Sequence, residues 1–463
     1  MKGLRIRQVL HEVAVGETIE VSGWVRTRRD SKAGLSFIAL NDGSCFNNLQ
    51  VIAKNTLENY DTEIKKTVRN GASITVRGEL VESPAKGQRV ELVASSITLL
   101  GESMDGYPMQ AKRINLDTLR TLAHLRPRTN TFGAVTRVRH HMAMAVHDFF
   151  RGNDFFYIQT PIITASDAEG AGEMFQVTTL DVGDAPKTDA GAVDWNKDFF
   201  GRQAFLTVSG QLQAEIYACS MGRVYTFGPT FRAENSQTAR HASEFWMIEP
   251  ECAFLELEGN ADLAEAFIKH CVTHALTECE EDLAFFDKRI EKGLIDALTA
   301  IKDTPFTRIT YTDAIGVLNK SGQSFKYPTT WGKMLQTEHE KYLTDEVFKG
   351  PVIVTDYPAE KAFYMKLNDD EKTVRAMDVL VPRIGEIIGG SEREARLDVL
   401  LARIEHHGLN PADYWWYADL RRFGTVPHSG FGLGFERLLM MVTGMKNIRD
   451  VIPLPRTPRN ADF

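Results

Sequence analysis

The sequence predicts an α+β protein in two parts. A small five-stranded Greek-key barrel stands at the amino terminus, and a larger domain with an antiparallel sheet flanked by helices follows. Three observations predict this. Residues 1–105 carry five short runs of alternating polar and apolar residues, separated by turn signals. Residues 106–131 lose that alternation and contain Gly106, Pro108 and Pro127. From residue 132 onward, stretches of helical apolar period are interleaved with β-like runs ending in glycine or proline. At 463 residues, with 43% hydrophobic and 25% charged content, the chain has material for two or three globular domains.

The first strand is expected over 18–28, alternating around Gly23 and Trp24. Residues 35–41 form an apolar run that stops at the turn Asp42, Gly43, Ser44. Residues 49–53, 73–80 and 88–99 complete the five, and 56–70 read as a helix between the third and fourth. That order is typical of oligonucleotide-binding (OB) barrels, which stack bases on aromatic rings beside basic groups. Phe37, Arg28, Gln50 and Glu82 are the candidates for a stacking face with base-edge hydrogen bonds. The plainer alternative makes Trp24 and Phe37 core residues and leaves the arginines solvated. Residues 1–100 hold 14 Lys and Arg against 11 Asp and Glu in a chain of net charge −8, so a local nucleic-acid contact is allowed and a general basic coat is excluded. Residues 106–131 read as a hinge or linker with one helical piece.

The larger domain opens with 133–151, which repeats Val135, Val138, Met142, Val146, Phe149 and Phe150 at helical spacing. A strand at 155–160 is stopped by Pro161. Such a long helix leading into a strand is a packing unit suited to a dimer interface. Residues 164–174 (TASDAEGAGEM) form a loop of small residues carrying Glu169, and 181–198 form a polar surface insertion without an assigned role. A strand at 205–208 runs into a helix, gathering Ser209, Gln211 and Glu215 at the junction. That placement suits a small polar ligand, and its alternative is an ordinary helix cap by Ser209.

Residues 225–251 (YTFGPTFRAENSQTARHASEFWMIEPE) are the richest stretch. Two β-like runs flank a loop containing Arg232, Glu234, Asn235, Gln237, Arg240 and His241. Antiparallel pairing would gather Arg232, Glu234, Arg240, His241 and Phe245 around one opening. Guanidinium forks suit phosphate oxygens, and a phenylalanine face suits a purine. In isolation the stretch reads more simply as an ordinary hairpin with a solvated polar loop, and it is the company it keeps further along the chain that favours a site.

Residues 260–350 read as mostly helical, with a strand near 307–311 capped into a helix by Thr312. Strands are expected at 352–355, 362–367 and 373–381. Residues 383–393 (RIGEIIGGSER) place Glu386 at the sheet surface, and Ser391 with Glu394 fits a capping box for a helix over 394–407. Residues 430–443 (GFGLGFERLLMMVT) are a glycine-rich strand entering a helix with Glu436 and Arg437 in its first turn. The pattern GxxxxGK[ST] is absent and no parallel βαβ context surrounds GFGLGF, so this glycine-rich turn alone is weak evidence for a nucleotide site. Five cysteines (Cys45, Cys219, Cys252, Cys271, Cys279) without a CxxC pair, no long apolar run and no secretory signal point to a reducing cytoplasm.

Three pieces occur in order: the helix and strand ending at Pro161, FRAE at 231–234 with a long loop to Phe245, and GFGLGFERL at 430–438. Together they closely resemble the three motifs of class II aminoacyl-tRNA synthetases. The amino-terminal barrel points to the subgroup acting on aspartate, asparagine and lysine, and the likeness extends over nearly the whole chain. The resemblance implies an OB-fold anticodon-binding domain at 1–105, a hinge at 106–131 and a class II catalytic domain at 132–463. It implies an ATP-dependent ligase that forms an aminoacyl adenylate and transfers the amino acid to the 3′ end of a tRNA, releasing pyrophosphate and AMP.

Site roles follow from the same resemblance. Arg232 would hold the α-phosphate and the substrate carboxylate, Glu234 the adenine amino group, and Phe245 would stack on adenine. Arg240 and His241 would flank the distal phosphates, with Gly434 beside the ATP and Arg437 on the γ-phosphate. Arg232, Arg437 and Glu386 form the catalytic set. Glu386, with Asp378 and Glu249, would hold magnesium (Mg2+). Glu169 would receive the α-ammonium and Arg393 the side-chain carbonyl, with Ser209, Gln211 and Glu215 completing the pocket. Phe37 and Gln50, with Arg28 and Glu82, fall where the subgroup reads the anticodon.

The choice of amino acid rests on few residues. Aspartyl members typically show a lysine where this chain has Ala214, and here Glu215 follows. Losing a cation and gaining a carboxylate repels aspartate and accepts an amide. Two close carboxylates without a counter-charge would cost on the order of several kcal/mol in a dry site. L-asparagine and tRNA(Asn) are therefore the implied substrates, with a homodimer as the assembly. Three rivals stand beside this reading. Glu215 opposes an aspartyl enzyme, the barrel opposes an ammonia-using asparagine synthetase, and Arg232, Glu386 and Arg437 together oppose an inactive binding paralogue.

Overall fold

The computed structural model describes residues 3–85, 87–109, 114–166, 174–236 and 238–463. The chain forms two compact units, Met1–Arg137 and Val138–Phe463.

In the first unit, β1 (Thr18–Ser31), β2 (Leu35–Asn41), β3 (Leu49–Lys54), β4 (Ser73–Glu82) and β5 (Val90–Gly101) close into a barrel in the order β1-β2-β3-β5-β4. Period-two alternation is the cause. Ile19, Val21 and Val25 of β1, Ile38 and Leu40 of β2, and Leu49 and Val51 of β3 all point inward and are buried. A bulge between Val25 and Thr27 adds the local twist that closure requires. The expected helix between the third and fourth strands is short, Tyr60–Ile64 followed by Lys65–Thr67, and buries Tyr60 and Ile64 in the barrel core. Beyond the barrel lie the helix Leu116–Thr121, capped by the Asn115 side chain, and the turn Arg126–Arg128.

The second unit holds β6 (Phe156–Tyr157), β7 (Ile163–Thr164), β8 (Gln176–Val177), β9 (Ala204–Leu206), β10 (Arg223–Phe231), β11 (Glu244–Ala253), β12 (Thr307–Thr310), β13 (Val352–Pro358), β14 (Thr373–Val381), β15 (Gly385–Glu392) and β16 (His428–Gly434). Eight of them form one sheet in the order β12-β13-β14-β15-β16-β11-β10-β6, while β7, β9 and β8 pair separately. The six central strands are antiparallel, and a parallel neighbour flanks them at each edge.

The glycine-rich strand β16 shows why the two faces of this sheet differ. Phe431 and Leu433, with Phe435 just beyond, are buried on one side, where Phe267 of the helix Leu257–Glu278 approaches Phe431. Gly430, Gly432 and Gly434 lie on the other. A Cβ on Gly432 would meet Met247 Cε at 2.8 Å, and one on Gly430 would occupy the place of the Glu251 carboxylate. The alternation of glycine and large apolar residue therefore makes one face core and the other a floor against which a ligand can lie.

Three local expectations are corrected. Residues 362–367 form no strand, because their backbone groups are divided between two partners: Lys366 N–H donates to Glu392 O and Lys366 O accepts from Arg375 N–H. The helix Tyr311–Lys320 is capped by Thr310, one residue before it, and Thr312 instead accepts from Trp331 Nε1. Ser391 caps nothing. It sits in β15 and accepts from Arg393 Nη1, and the helix begins later, at Leu397.

Candidate active site

The hairpin of β10 and β11 carries the first half of the site. Register pairs Phe231 with Glu244 and Thr230 with Phe245, so the loop of residues 232–243 rises from one end of the hairpin. Arg232, Glu234, Arg240, His241, Phe245, Glu386, Gly434 and Arg437 all line one cavity of about 230 Å³, with Met247, Ile387 and Gly432 completing its wall. These eight residues come from three separate stretches of sequence, and the sheet order brings them together. The Arg232 guanidinium stands 5.4 Å from the Phe245 ring centre, which restrains the fork beside a flat apolar face. Arg232 N–H donates to Ser243 O at 3.0 Å and closes the base of the loop. Arg437 Nη1 donates to Glu386 O at 3.0 Å and lies 3.5 Å from Glu386 Oε2, so the helix arginine is held against β15. His241 Nε2 is 3.6 Å from Glu234 Oε2 at the exposed rim. Three arginines around a small cavity can neutralise phosphate oxygens from several sides, and the phenylalanine offers a surface for a purine.

Ser209, Gln211, Glu215 and Arg393 form a second cluster, buried beneath the same face. The β9 strand and the helix Gln211–Met221 meet at Ser209 and Gly210, and both are held by Glu249: Ser209 Oγ donates to Oε1, and Gly210 N–H donates to Oε2 at 2.9 Å. Glu215 corrects the expectation of a carboxylate without counter-charge. Its Oε2 accepts from Tyr417 OH at 2.7 Å and Arg421 Nη2 at 3.1 Å, with His428 Nε2 at 3.0 Å. Its Oε1 accepts from Gln211 Nε2 at 3.1 Å and faces Arg393 Nε at 3.8 Å. Burial opposes ionisation of Glu215, but the hydrogen bond from His428 and the charges of Arg421 and Arg393 outweigh it and hold the carboxyl well below its usual range. Glu251 goes the other way. Burial pushes it up, and Arg393, shared with Glu215, only partly offsets this. The sequence reading missed Glu251, Tyr417, Arg421 and His428. His428 was visible in VPHSGFGLGF, but nothing local tied it to Glu215. A carboxylate kept anionic in a buried pocket, with acceptor capacity left on Oε1, can take an amide NH2 and rejects a second carboxylate.

The acidic residues expected to hold magnesium separate into two groups. Glu386 Oε1 and Asp378 Oδ1 converge over Gly389, at 3.3 and 3.6 Å from the point a Cβ there would occupy. Lys361 Nζ now donates to both Asp378 oxygens at 2.6 Å. Glu249 belongs to the Ser209 junction. Glu340, which sequence reading missed, backs the first group: its Oε2 accepts Glu386 N–H at 3.1 Å, and burial, then Glu386, pushes its carboxyl up to about 7. Gly385, at φ +89°, has no side chain to block that approach. Among the described residues no three acidic, His or Cys groups share one metal position. Two carboxylates suit magnesium, which takes the rest of its shell from phosphate and water.

Glu169 lies outside the described residues. In the first unit, Phe37 and Gln50 share the outward face of β2 and β3, where Phe37 pairs with Ile52 and Ala39 with Gln50. Glu82 is exposed at the end of β4. Arg28 is used differently. Its guanidinium donates to the carbonyls of Ile64, Val68 and Lys65 and pairs with Asp30 at 3.2 Å, which closes the end of the helical segment inside the barrel unit.

The fold and the site together define a class II tRNA synthetase. Residues 115–458 match the family of class II tRNA synthetases (D, K and N), and residues 19–100 match an OB-fold nucleic acid binding domain. An asparagine–tRNA ligase of Histophilus somni is 59% identical over 455 residues, covering 98% of this chain and 97% of its own, and one from Actinobacillus succinogenes is 60% identical with the same coverage. The crystal structure of asparaginyl-tRNA synthetase from Pyrococcus horikoshii complexed with asparaginyl-adenylate superposes with a TM-score of 0.86 at 30% identity, covering 98% of each chain. The chain belongs to the asparagine–tRNA ligase family.

Proposed function

We propose that this protein activates L-asparagine with ATP and transfers it to the 3′ end of tRNA(Asn). The observation that carries this reading is Glu215, a buried anion on the helix Gln211–Met221 that faces Arg393, the residue after β15, at 3.8 Å. In the first step the asparagine carboxylate attacks the α-phosphorus of ATP. The bond to the bridging oxygen breaks and pyrophosphate leaves. Arg232 holds the reacting phosphate and carboxylate together, Arg437 clamps the distal phosphate, and Arg240 and His241 flank it. Phe245 and Glu234 seat the adenine. Arg393 donates to the side-chain carbonyl and Glu215 accepts from the amide NH2, with Ser209 and Gln211 around them and Glu169 on the α-ammonium. In the second step a ribose hydroxyl of the tRNA attacks the adenylate carbonyl and AMP leaves. No protein nucleophile is needed, because charge neutralisation and positioning suffice. Asp378 and Glu386 would hold magnesium, which when bound neutralises phosphate charge. Phe37, Gln50 and Glu82 would read the anticodon from a domain at 1–105, joined by the 106–131 hinge to the catalytic domain at 132–463.

The assembly is a cytoplasmic homodimer. Phe156 and Tyr157, on the edge strand β6, are 53% and 51% exposed, and an aromatic sheet edge of this kind invites pairing. No helix among the described residues is long and apolar enough to cross a membrane. The test is exchange of labelled pyrophosphate into ATP, with asparagine compared against aspartate. Exchange with asparagine is expected. Exchange with aspartate alone overturns the specificity, and exchange with neither overturns the reaction. Sedimentation at micromolar concentration should give a dimer, and a monomer there removes the assembly.

A further inference from the structure

Lys361 is a cation that the reaction described above does not use. It ends the short turn Ala359–Lys361, which follows β13. Its ammonium lies 3.6 Å from the ring centre of Tyr357, a fully buried side chain, and donates to both oxygens of Asp378 at 2.6 Å. A phenol face on one side and a carboxylate on the other make a built seat for this one ammonium. Asp378 is half of the carboxylate pair whose oxygens converge over Gly389. The other half, Glu386, faces Arg437 Nη1, and Nη1 lies 3.5 Å from its Oε2. Each of the two carboxylates therefore already has a protein cation beside it. The two contacts differ in their access to water. The side chains of Glu386 and Arg437 are both partly open to solvent, whereas those of Lys361 and Asp378 are only 13% and 10% exposed. Water screens the first pair more than the second, so Lys361 is the stronger competitor for a metal ion.

We infer that Lys361 is a counter-cation built into the magnesium position: it holds Asp378 while no nucleotide is bound, so the protein takes a divalent ion only together with the phosphates of ATP. The inference rests on the proposed placement of magnesium at Asp378 and Glu386. The physical reason is charge. A divalent ion gives up part of its water shell only to anionic oxygens, and a carboxylate already neutralised by an ammonium at 2.6 Å attracts it little. ATP brings further negative oxygens, and its γ-phosphate gives Arg437 a second partner, which releases Glu386. A purely structural ion pair would behave in the opposite way, since its loss would loosen Asp378 and weaken a metal position there.

The test measures Mn2+ binding to the nucleotide-free protein, followed by loss of the free ion's electron paramagnetic resonance signal. Mn2+ serves as the probe because it takes the same oxygen ligands. Lys361→Met and Lys361→Gln remove the charge, and Lys361→Arg keeps it. Far-ultraviolet circular dichroism and thermal melting establish that each variant is folded, and the glutamine variant, which keeps a donor, carries the test where the methionine variant does not fold. The neutral variants should bind Mn2+ at least about tenfold more tightly than wild type, the scale expected when a like charge within a few ångströms is removed. Lys361→Arg should bind as weakly as wild type, and adding Asp378→Asn to Lys361→Gln should abolish the gain. A folded neutral variant with unchanged or weaker affinity overturns the inference. Equilibrium dialysis of ATP with and without Mn2+ tests the magnesium placement itself. Wild type should bind ATP more tightly with the ion. Equal ATP affinity in both conditions removes magnesium from this position and the inference with it, whereas tightening by the ion alongside unaltered neutral variants removes only the part assigned to Lys361.

Discussion

Arg393 and Glu251 are joined by two hydrogen bonds, Nη2 to Oε1 at 2.5 Å and Nε to Oε2 at 3.2 Å, where neither side chain is exposed to solvent. The pair fixes the guanidinium beside Glu215 and explains why β16 carries glycine at 430, where the Glu251 carboxylate would meet a side chain. An amide in place of the carboxyl leaves one of the two Arg393 donors buried without an acceptor. Glu251→Gln should therefore lower stability by about 3 kcal/mol. Urea unfolding followed by tryptophan fluorescence measures this, and a midpoint within experimental error of wild type would contradict the account.

Glu215→Gln tests the amide-recognition argument. The variant keeps the shape but loses the anion that Arg421, His428 and Arg393 surround. Its preference for asparagine over aspartate in pyrophosphate exchange should fall by at least about tenfold, the scale expected when a buried polar match is lost. Undiminished discrimination would place selection elsewhere in the pocket.

Arg232→Lys keeps the charge and removes the fork stacked near Phe245. Planar two-point contact with phosphate and carboxylate is then impossible, so kcat/KM for exchange should fall about a hundredfold. Both kcat and the KM values for ATP and asparagine should be read, because a loss confined to KM would assign Arg232 to uniform substrate binding.

Glu340 predicts a pH dependence. Its carboxyl rises from an ordinary 4.5 to about 7, through burial first and Glu386 second. The folded protein therefore holds a proton that the unfolded chain has released. This group's contribution to stability is complete below pH 4.5 and is lost as pH rises through about 7. Without magnesium, wild type should lose more stability than Glu340→Gln between about pH 5 and about pH 8, because the amide does not titrate. Parallel urea midpoints for the two proteins across that range would remove Glu340 from the charge balance around Glu386.

Much of the architecture was legible from local pattern. The barrel strands were visible because side chains on a strand alternate and each run ends in turn chemistry. The residues that line the arginine-rich cavity were legible because FRAE, Phe245 and GFGLGFERL resemble family motifs, and hairpin and helix bring those motifs together. Errors came where local capping rules competed with distant partners. Ser391 and Glu394 looked like a capping box, yet Arg393 takes Ser391 into the sheet, and Glu394 binds Arg396 and the Leu367 N–H.

The sequence by itself determined the barrel strands, through short-range periodicity, and its resemblance to class II synthetases supplied the catalytic fold and the expected roles of the cavity residues. Only the tertiary structure decided what the buried charges do. Glu215 meets Tyr417, Arg421 and His428 across 202, 206 and 213 residues of chain. Glu340 meets Glu386 across 46, and Arg28 meets the helical carbonyls across 36 to 40. A carboxylate's charge state depends on burial and on the cations around it, and both are created only when distant segments pack together.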